Sequence, residues 1–263
     1  MSRSETALEA AQAGADVAMD HYRSALTVET KESKTDYVSE GDVEAQREVV
    51  EVIRSAYPDA TIVGEEEDEL KAVPEDGNAW VVDPIDGTTN FVHEIPLWTT
   101  SIGLVRDGEL AAGVSVAPAL DHVFYADEST VRRDDESVST SDTTDLEAFS
   151  VAPILRYGPD REEAFGSLLT SLLVEFGDIR RLGCAQLTLA FVAAGSLDAA
   201  VSALPNPAAW DTVAGAHMIE RAGGTVTDVH GDPWEPGCEG IVATNGAAHD
   251  EVLDRIGPAL EAY

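Results

Sequence analysis

Cysteine, lysine and long apolar runs are all scarce in this chain of 263 residues. The two cysteines, Cys184 and Cys238, supply neither a disulfide framework nor a thiolate metal cluster, and both are expected to be reduced, buried and apolar in role. Lysine occurs only at Lys31, Lys34 and Lys71, and 16 basic residues face 50 acidic ones for a formal net charge of −34. Such a chain repels phosphodiester backbones and anionic membranes, which excludes nucleic acid and membrane surfaces as expected partners. No apolar stretch approaches the roughly 20 residues of a bilayer span. The segment "MSRSETALEAAQAGADVAMD" also lacks the charged-then-apolar order of a secretion signal, so a cytoplasmic location is expected. Repeats and low-complexity linkers are missing too, and the 12 prolines are scattered.

The acid that is present runs through "EEEDEL", "RRDDESVSTSDTTD" and "DREEAF" and does not gather in one tail. Molar salt, with a Debye length of about 3 Å, would screen that self-repulsion, so a halophilic setting is expected. "EEEDEL", with Glu66 and Glu67, is read as a solvated surface.

Apolar spacing predicts a first helix over Ser4 to Leu26 and a hairpin in "LTVETKESKTDYVSEGD". A second helix is predicted with Val43, Val50, Ile53 and Tyr57 on one face. Short strands are predicted at "TIVG" and "AWVVDPID", and a further antiparallel set through "TTSIGLVRDGELAAGVSVAP" and "DHVFYAD". Beyond residue 145, strand and helix alternate from "AFSVAPI" to "GIVATN", the pattern of an α/β layer. The fold class is therefore α+β passing into α/β: a single unit over 1–263, with an antiparallel sub-layer over about 1–145 and an α/β sub-layer over about 146–263.

The chemistry concentrates in "WVVDPIDGTTNF". Asp83 and Asp86 sit at a strand's carboxyl end, where open α/β sheets bind ligands. Pro84 stiffens the backbone between them, and Gly87 permits a sharp turn whose amides suit a phosphate. Hard oxygen donors in this density favour magnesium. A plain Asp-Gly turn closing a strand is the competing reading, with Asp42 a helix N-cap. Glu65, at the end of the other short strand, and Asp211, directly after Trp210, can converge on the same corner.

Four motifs in order resemble the inositol monophosphatase family of magnesium-dependent, lithium-sensitive phosphomonoesterases: "KTDYVSEGD", "VGEEE", "WVVDPIDGTTNFVH" and "WDTVAGAHMIERAGG". The resemblance implies the family's layered α-β-α-β-α sandwich, two or three magnesium ions per site and a homodimer. It implies Glu65, Asp83 and the Ile85 carbonyl as ligands of one magnesium, and Asp83, Asp86 and Asp211 of a second. Asp42 and Thr88 correspond to the pair that orients and deprotonates the attacking water. The amides of Gly87 and Thr88, beside Asp86, would hold the phosphate, and Ala185, closing "RLGCA", would meet the substrate's alcohol portion.

Two departures from the family pattern matter, the first for inositol selectivity and the second for helix packing. "SALPNPAAWD" presents Ser202, Leu204 and Asn206 where animal relatives carry a glutamate that grips inositol, and Val213 replaces a smaller residue in the second motif. The expected substrate is a polyol or sugar phosphate, inositol-1-phosphate or fructose 1,6-bisphosphate, with Arg156, Arg180 and Arg181 available for a second phosphate. The alternatives are a nucleotide 3′-phosphatase of the same family, or a non-catalytic acidic protein that binds divalent cations or regulates a partner.

Overall fold

The computed structural model describes residues 2–24, 28–30, 37–66, 69–155, 162–203 and 207–260. Lys34, Glu67, Arg156, Leu204 and Asn206 lie outside them, as does the centre of the expected hairpin. In chain order the first elements are α1 (Arg3–His21), β1 (Val28–Thr30), β2 (Tyr37–Ser39), α2 (Glu40–Ala56), β3 (Thr61–Gly64), β4 (Asn78–Asp86), α3 (Thr88–Val92), β5 (Thr99–Arg106) and β6 (Glu109–Ala117). There follow β7 (His122–Ala126), β8 (Val131–Arg133), β9 (Glu136–Ser137), β10 (Ser150–Pro153), α4 (Glu162–Glu175), β11 (Asp178–Ile179) and α5 (Ala185–Ala193). The last are β12 (Ala199–Ser202), α6 (Ala209–Arg221), β13 (Thr225–Thr227), β14 (Ile241–Thr244) and α7 (His249–Leu260).

Local signals explain most boundaries. Ser2 and Glu5 form a reciprocal capping box that starts α1. The helix stops at His21, short of Leu26, with Tyr22 already extended and buried. At the β5–β6 turn Asp107 and Gly108 both adopt positive φ, 51° and 84°, the conformation a two-residue hairpin needs. The β1–β2 pair is antiparallel, as the hairpin reading requires.

Two sheets organise the molecule. The first runs β3-β4-β5-β6-β7-β8-β9, with β3 parallel to β4 and every other neighbour antiparallel. The second runs β11-β10-β12-β14-β13 and is mixed. Helices α1 and α2 cover one face of the first sheet, burying Ala7, Ala11, Val49 and Ile53 against Ile62, Trp80 and Ile102. Helices α5 and α6 fill the space between the sheets, where Leu187, Leu189, Val213 and Ile219 meet Val81, Phe124, Ala200 and Ala243. Helices α4 and α7 close the far side through Leu168, Leu172, Val252 and Ile256. The result is the expected α-β-α-β-α layering. Its middle core draws side chains from both halves of the chain.

The close approach of α6 to the first sheet depends on Gly103, where a Cβ would lie 2.3 Å from Val213 Cγ1. The larger residue at position 213 is therefore accommodated by a glycine on β5. Strands β8 and β9 and helix α7 were not anticipated from the sequence, while "TVTDV" and "GIVATN" appear as β13 and β14. No helix among the described residues is long and apolar enough to cross a membrane.

Candidate metal centre

The parallel β3–β4 pair carries Val63 beside Val81 and Gly64 beside Val82, so Glu65 and Asp83 leave the same edge of the sheet. Beyond Asp83 the β4–β5 register shifts, and this irregularity between Asp83 and Asp86 re-aims both carboxylates. Gly87 then takes the left-handed conformation, φ 88° and ψ 38°, and caps α3. A Cβ there would sit 3.0 Å from the Leu97 carbonyl oxygen and 3.1 Å from Cys184 Cβ, so glycine is required on both counts. Asp211 arrives from the first turn of α6.

These elements bring one carboxylate oxygen from each of Asp83, Asp86 and Asp211 within 4.8 Å of one another. Asp83 is 1% exposed, and neither of its oxygens has a hydrogen-bond partner among the described residues. Burial, then the charges of Glu65, Asp86, Asp211 and Asp42, holds its carboxyl well above the ordinary carboxylate range. Asp86 is pushed up to about 6, chiefly by burial, against the opposing pull of the Cys184 thiol and the Gln186 and Ala185 amides. Buried charge without a partner is costly, and folded proteins rarely tolerate it unless something else binds there. An all-oxygen cluster of this kind fits a hard divalent cation.

Thr88 donates its hydroxyl to the Ile85 carbonyl at 3.0 Å and to Asp42 Oδ1 at 3.3 Å. Asp42 is 1% exposed and sits inside the first turn of α2, after Glu40 and Gly41, so it is not an N-cap. Ala185 turns its amide to Asp86 Oδ1 at 3.1 Å. Three expectations about neighbouring residues change. Glu66 is 6% exposed and so is not a solvated surface acid: it is drawn inward because its backbone is clamped from both sides by the side-chain amide of Gln46. Cys184 is buried, but its thiol donates to Asp86 Oδ2 at 3.0 Å, a polar role. Cys238 is only partly buried. Arg180 pairs with Asp178 at the surface.

Sequence reading passed over Gln46, Lys71 and Gln186, and the polar role of Cys184, all of which brace the cluster. Gln46 lies one helical turn after Asp42, and that spacing was the available signal. Lys71 gathers the carbonyls of Gly64, Glu65 and Glu66 at 2.8, 3.0 and 3.3 Å; its rarity as a lysine beside the acid run could have marked it. Cys184 and Gln186 flank the Ala185 already singled out. Trp210 packs half-buried on the middle core beside Asp211.

Fold and acidic cluster together define a layered α-β-α-β-α sandwich whose clustered carboxylates have the chemistry to hold a divalent cation. Residues 2–261 match the inositol monophosphatase family. The chain is 36% identical over 245 residues to the fructose-1,6-bisphosphatase/inositol-1-monophosphatase of Thermotoga maritima, covering 92% of this chain and 91% of that one. It is 31% identical to the Nus factor SuhB of Pasteurella multocida over 253 residues, covering 95% and 94%. The solved structure of a Thermotoga maritima IMPase superposes with a TM-score of 0.89 at 32% identity, covering 100% of this chain and 99% of that one. The chain belongs to the inositol monophosphatase family, and it is a phosphoric monoester hydrolase.

Proposed function

We propose that the protein is a magnesium-dependent phosphomonoesterase acting on a small polyol or sugar phosphate, inositol-1-phosphate or fructose 1,6-bisphosphate. The observation that carries the metal reading is Asp83: a buried carboxylate whose two oxygens have no hydrogen-bond partner among the described residues, flanked by Asp86 and Asp211. In this reading Glu65, Asp83, Asp86, Asp211 and the Ile85 carbonyl hold the cations. When bound, magnesium supplies neutralising charge to the phosphoryl group and makes water a better nucleophile near neutral pH.

The protein's own groups do the rest. Thr88 cannot act as a base near neutrality, but its hydroxyl faces Asp42, so a proton taken from water at Thr88 Oγ1 passes to the Asp42 carboxylate. Asp42 is held ready for that role by burial at the start of α2. The Gly87 and Thr88 amides bind the phosphate, and the start of α5 at Ala185 orients the alcohol portion. Only Gly87 allows the chain to bring these amides so near the Leu97 carbonyl and Cys184. The name carried by the Thermotoga maritima relative supports both substrates.

The test is phosphate release from inositol-1-phosphate, fructose 1,6-bisphosphate and a nucleoside 3′-phosphate, each with and without magnesium and across potassium chloride concentrations. Turnover of a polyol or sugar phosphate that vanishes with chelator is the expected result. Turnover confined to the nucleotide, or undiminished by chelator, overturns the reading. Because the middle core joins both sub-layers, we further propose that the chain unfolds as one cooperative unit, seen as a single calorimetric transition.

A further inference from the structure

Asp86 and Asp211 come from elements with no covalent proximity, and one side chain spans them. Gln186, the second residue of α5, is 1% exposed and bonds through its backbone amide and both ends of its side-chain amide. Its backbone amide donates to Asp86 Oδ2 at 2.5 Å. Its side-chain Nε2 donates to the Trp210 carbonyl at 2.6 Å, and its Oε1 accepts from the Gly215 amide at 2.8 Å. Trp210 directly precedes Asp211 and Gly215 lies one helical turn beyond it, so the carboxamide brackets Asp211 on α6.

We propose that Gln186 is a positioning residue for the cation site, setting the distance between Asp86 and Asp211 by tying the start of α5 to the first turns of α6. The inference rests on the cation site argued above and names a residue that reading leaves unassigned. A buried carboxamide stabilises when its polar ends find partners, and here Nε2 has an acceptor in the Trp210 carbonyl and Oε1 a donor in the Gly215 amide. The surroundings are apolar, with Leu187, Leu189, Val213 and Ala214 in the same core, so packing alone would be served by a leucine or methionine. A glutamine adds no charge to a cluster of carboxylates. Its influence on cation binding is therefore geometric, which gives the effect of its removal a definite sign. Gly215 tightens the same junction: a Cβ there would meet Leu189 Cβ at 2.3 Å and Gln186 Oε1 at 3.0 Å. With α5 and α6 this close, losing the carboxamide lets α6 slide or rotate against α5, and Asp211 moves with it.

The test is magnesium titration by calorimetry without substrate on the full chain carrying Gln186→Met, which keeps the backbone amide and the side-chain volume but removes both side-chain hydrogen bonds. Residues that orient metal ligands from behind typically change affinity about 10- to 100-fold. A magnesium dissociation constant raised at least about 10-fold is expected, with KM at saturating magnesium changed less than about twofold. A dissociation constant within twofold of the parent, whatever happens to the melting temperature, overturns the proposal and leaves Gln186 a packing residue. If Gln186→Met does not fold, Gln186→Asn, whose amide is one methylene too short to reach both partners, is read by the same criteria. Asp83→Asn in the same calorimeter separates the two levels of argument. If it binds magnesium like the parent, the cation-site reading itself fails; if it loses binding while Gln186→Met does not, only the role of Gln186 fails.

Discussion

Replacing Asp83 by asparagine should make the metal-free protein more stable and the enzyme nearly inactive. In the folded chain both Asp83 oxygens are buried without a hydrogen-bond partner among the described residues, and that burial, then four acidic side chains, raises its pKa. An unsatisfied buried polar group costs about 1 to 3 kcal/mol, more when charged. Asparagine removes the charge, and its NH2 can donate to the Asp86 or Asp211 carboxylates within 4.8 Å. For a chain of this size, about 1 kcal/mol corresponds to roughly 2–4 °C in melting temperature, so chelated Asp83→Asn protein should melt roughly 2–12 °C above the chelated parent. Magnesium should stabilise the parent by mass action and leave the variant unchanged. Loss of a shared ligand should lower kcat/KM at least about 100-fold, since the lost charge stabilisation is several kcal/mol and each 1.4 kcal/mol is tenfold. Differential scanning calorimetry with chelator and with magnesium, paired with phosphate-release kinetics, makes the measurement. A variant that melts below the parent in chelator, or keeps activity within tenfold, would refute the argument.

Three other expectations follow from separate parts of the structure. Thr88→Ala should lower kcat about 10²- to 10⁴-fold with the magnesium dissociation constant unchanged in calorimetry, and Thr88→Ser should recover most of the loss; equal kcat in the alanine variant contradicts the relay to Asp42. His217 is buried with Nε2 unpartnered among the described residues, and burial first, then Arg221, lowers its pKa to about 4. The unfolded chain protonates this histidine near 6.5, so the folded state binds fewer protons and loses stability as pH falls from about 6.5 to 4. His217→Gln should gain about 2 to 3 kcal/mol on the parent between pH 7 and 4.5 in urea unfolding, and parallel curves would exclude that origin. Finally, with a net charge of −34, dilution from molar to about 20 mM potassium chloride should lower the melting temperature by several degrees, because unscreened carboxylates repel; a flat dependence argues against a salt-adapted surface.

The elements that sequence patterning foresaw are those with strong local reasons to form. Strand β4 is built on the buried apolar run from Ala79 to Val82 and ends at Asp86, directly before Gly87, and the Asp107–Gly108 turn has residues that accept positive φ. Helix α7 escaped because Gly257 and Pro258 lie in its last turns, although Val252, Ile256 and Ala259 are buried on one face. Strands β8 and β9 are short and polar, and only pairing makes them strands, β8 against β7 and β9 against β8. At the site, the acids themselves could be read because four ordered motifs announce them. What could not be read is the bracing. Gln186 and Gln46 act on backbone groups of residues that only the folded topology brings near, and no local pattern marks an amide aimed at a carbonyl 24 positions away. Glu66 shows the same limit: an acid run looks exposed until one member's backbone is claimed by another helix.

The hydrogen bond from the Gln186 amide to Asp86 closes a loop of 100 positions, and Asp211 lies further along the chain still. A nascent polypeptide emerging from the ribosome therefore possesses no fragment of the cage in working form until most of its length is available and both sheets have docked. Closing loops so long is slow. Catalytic competence thus waits on topological assembly, so release of phosphate by this chain would double as a report that the two sheets have docked.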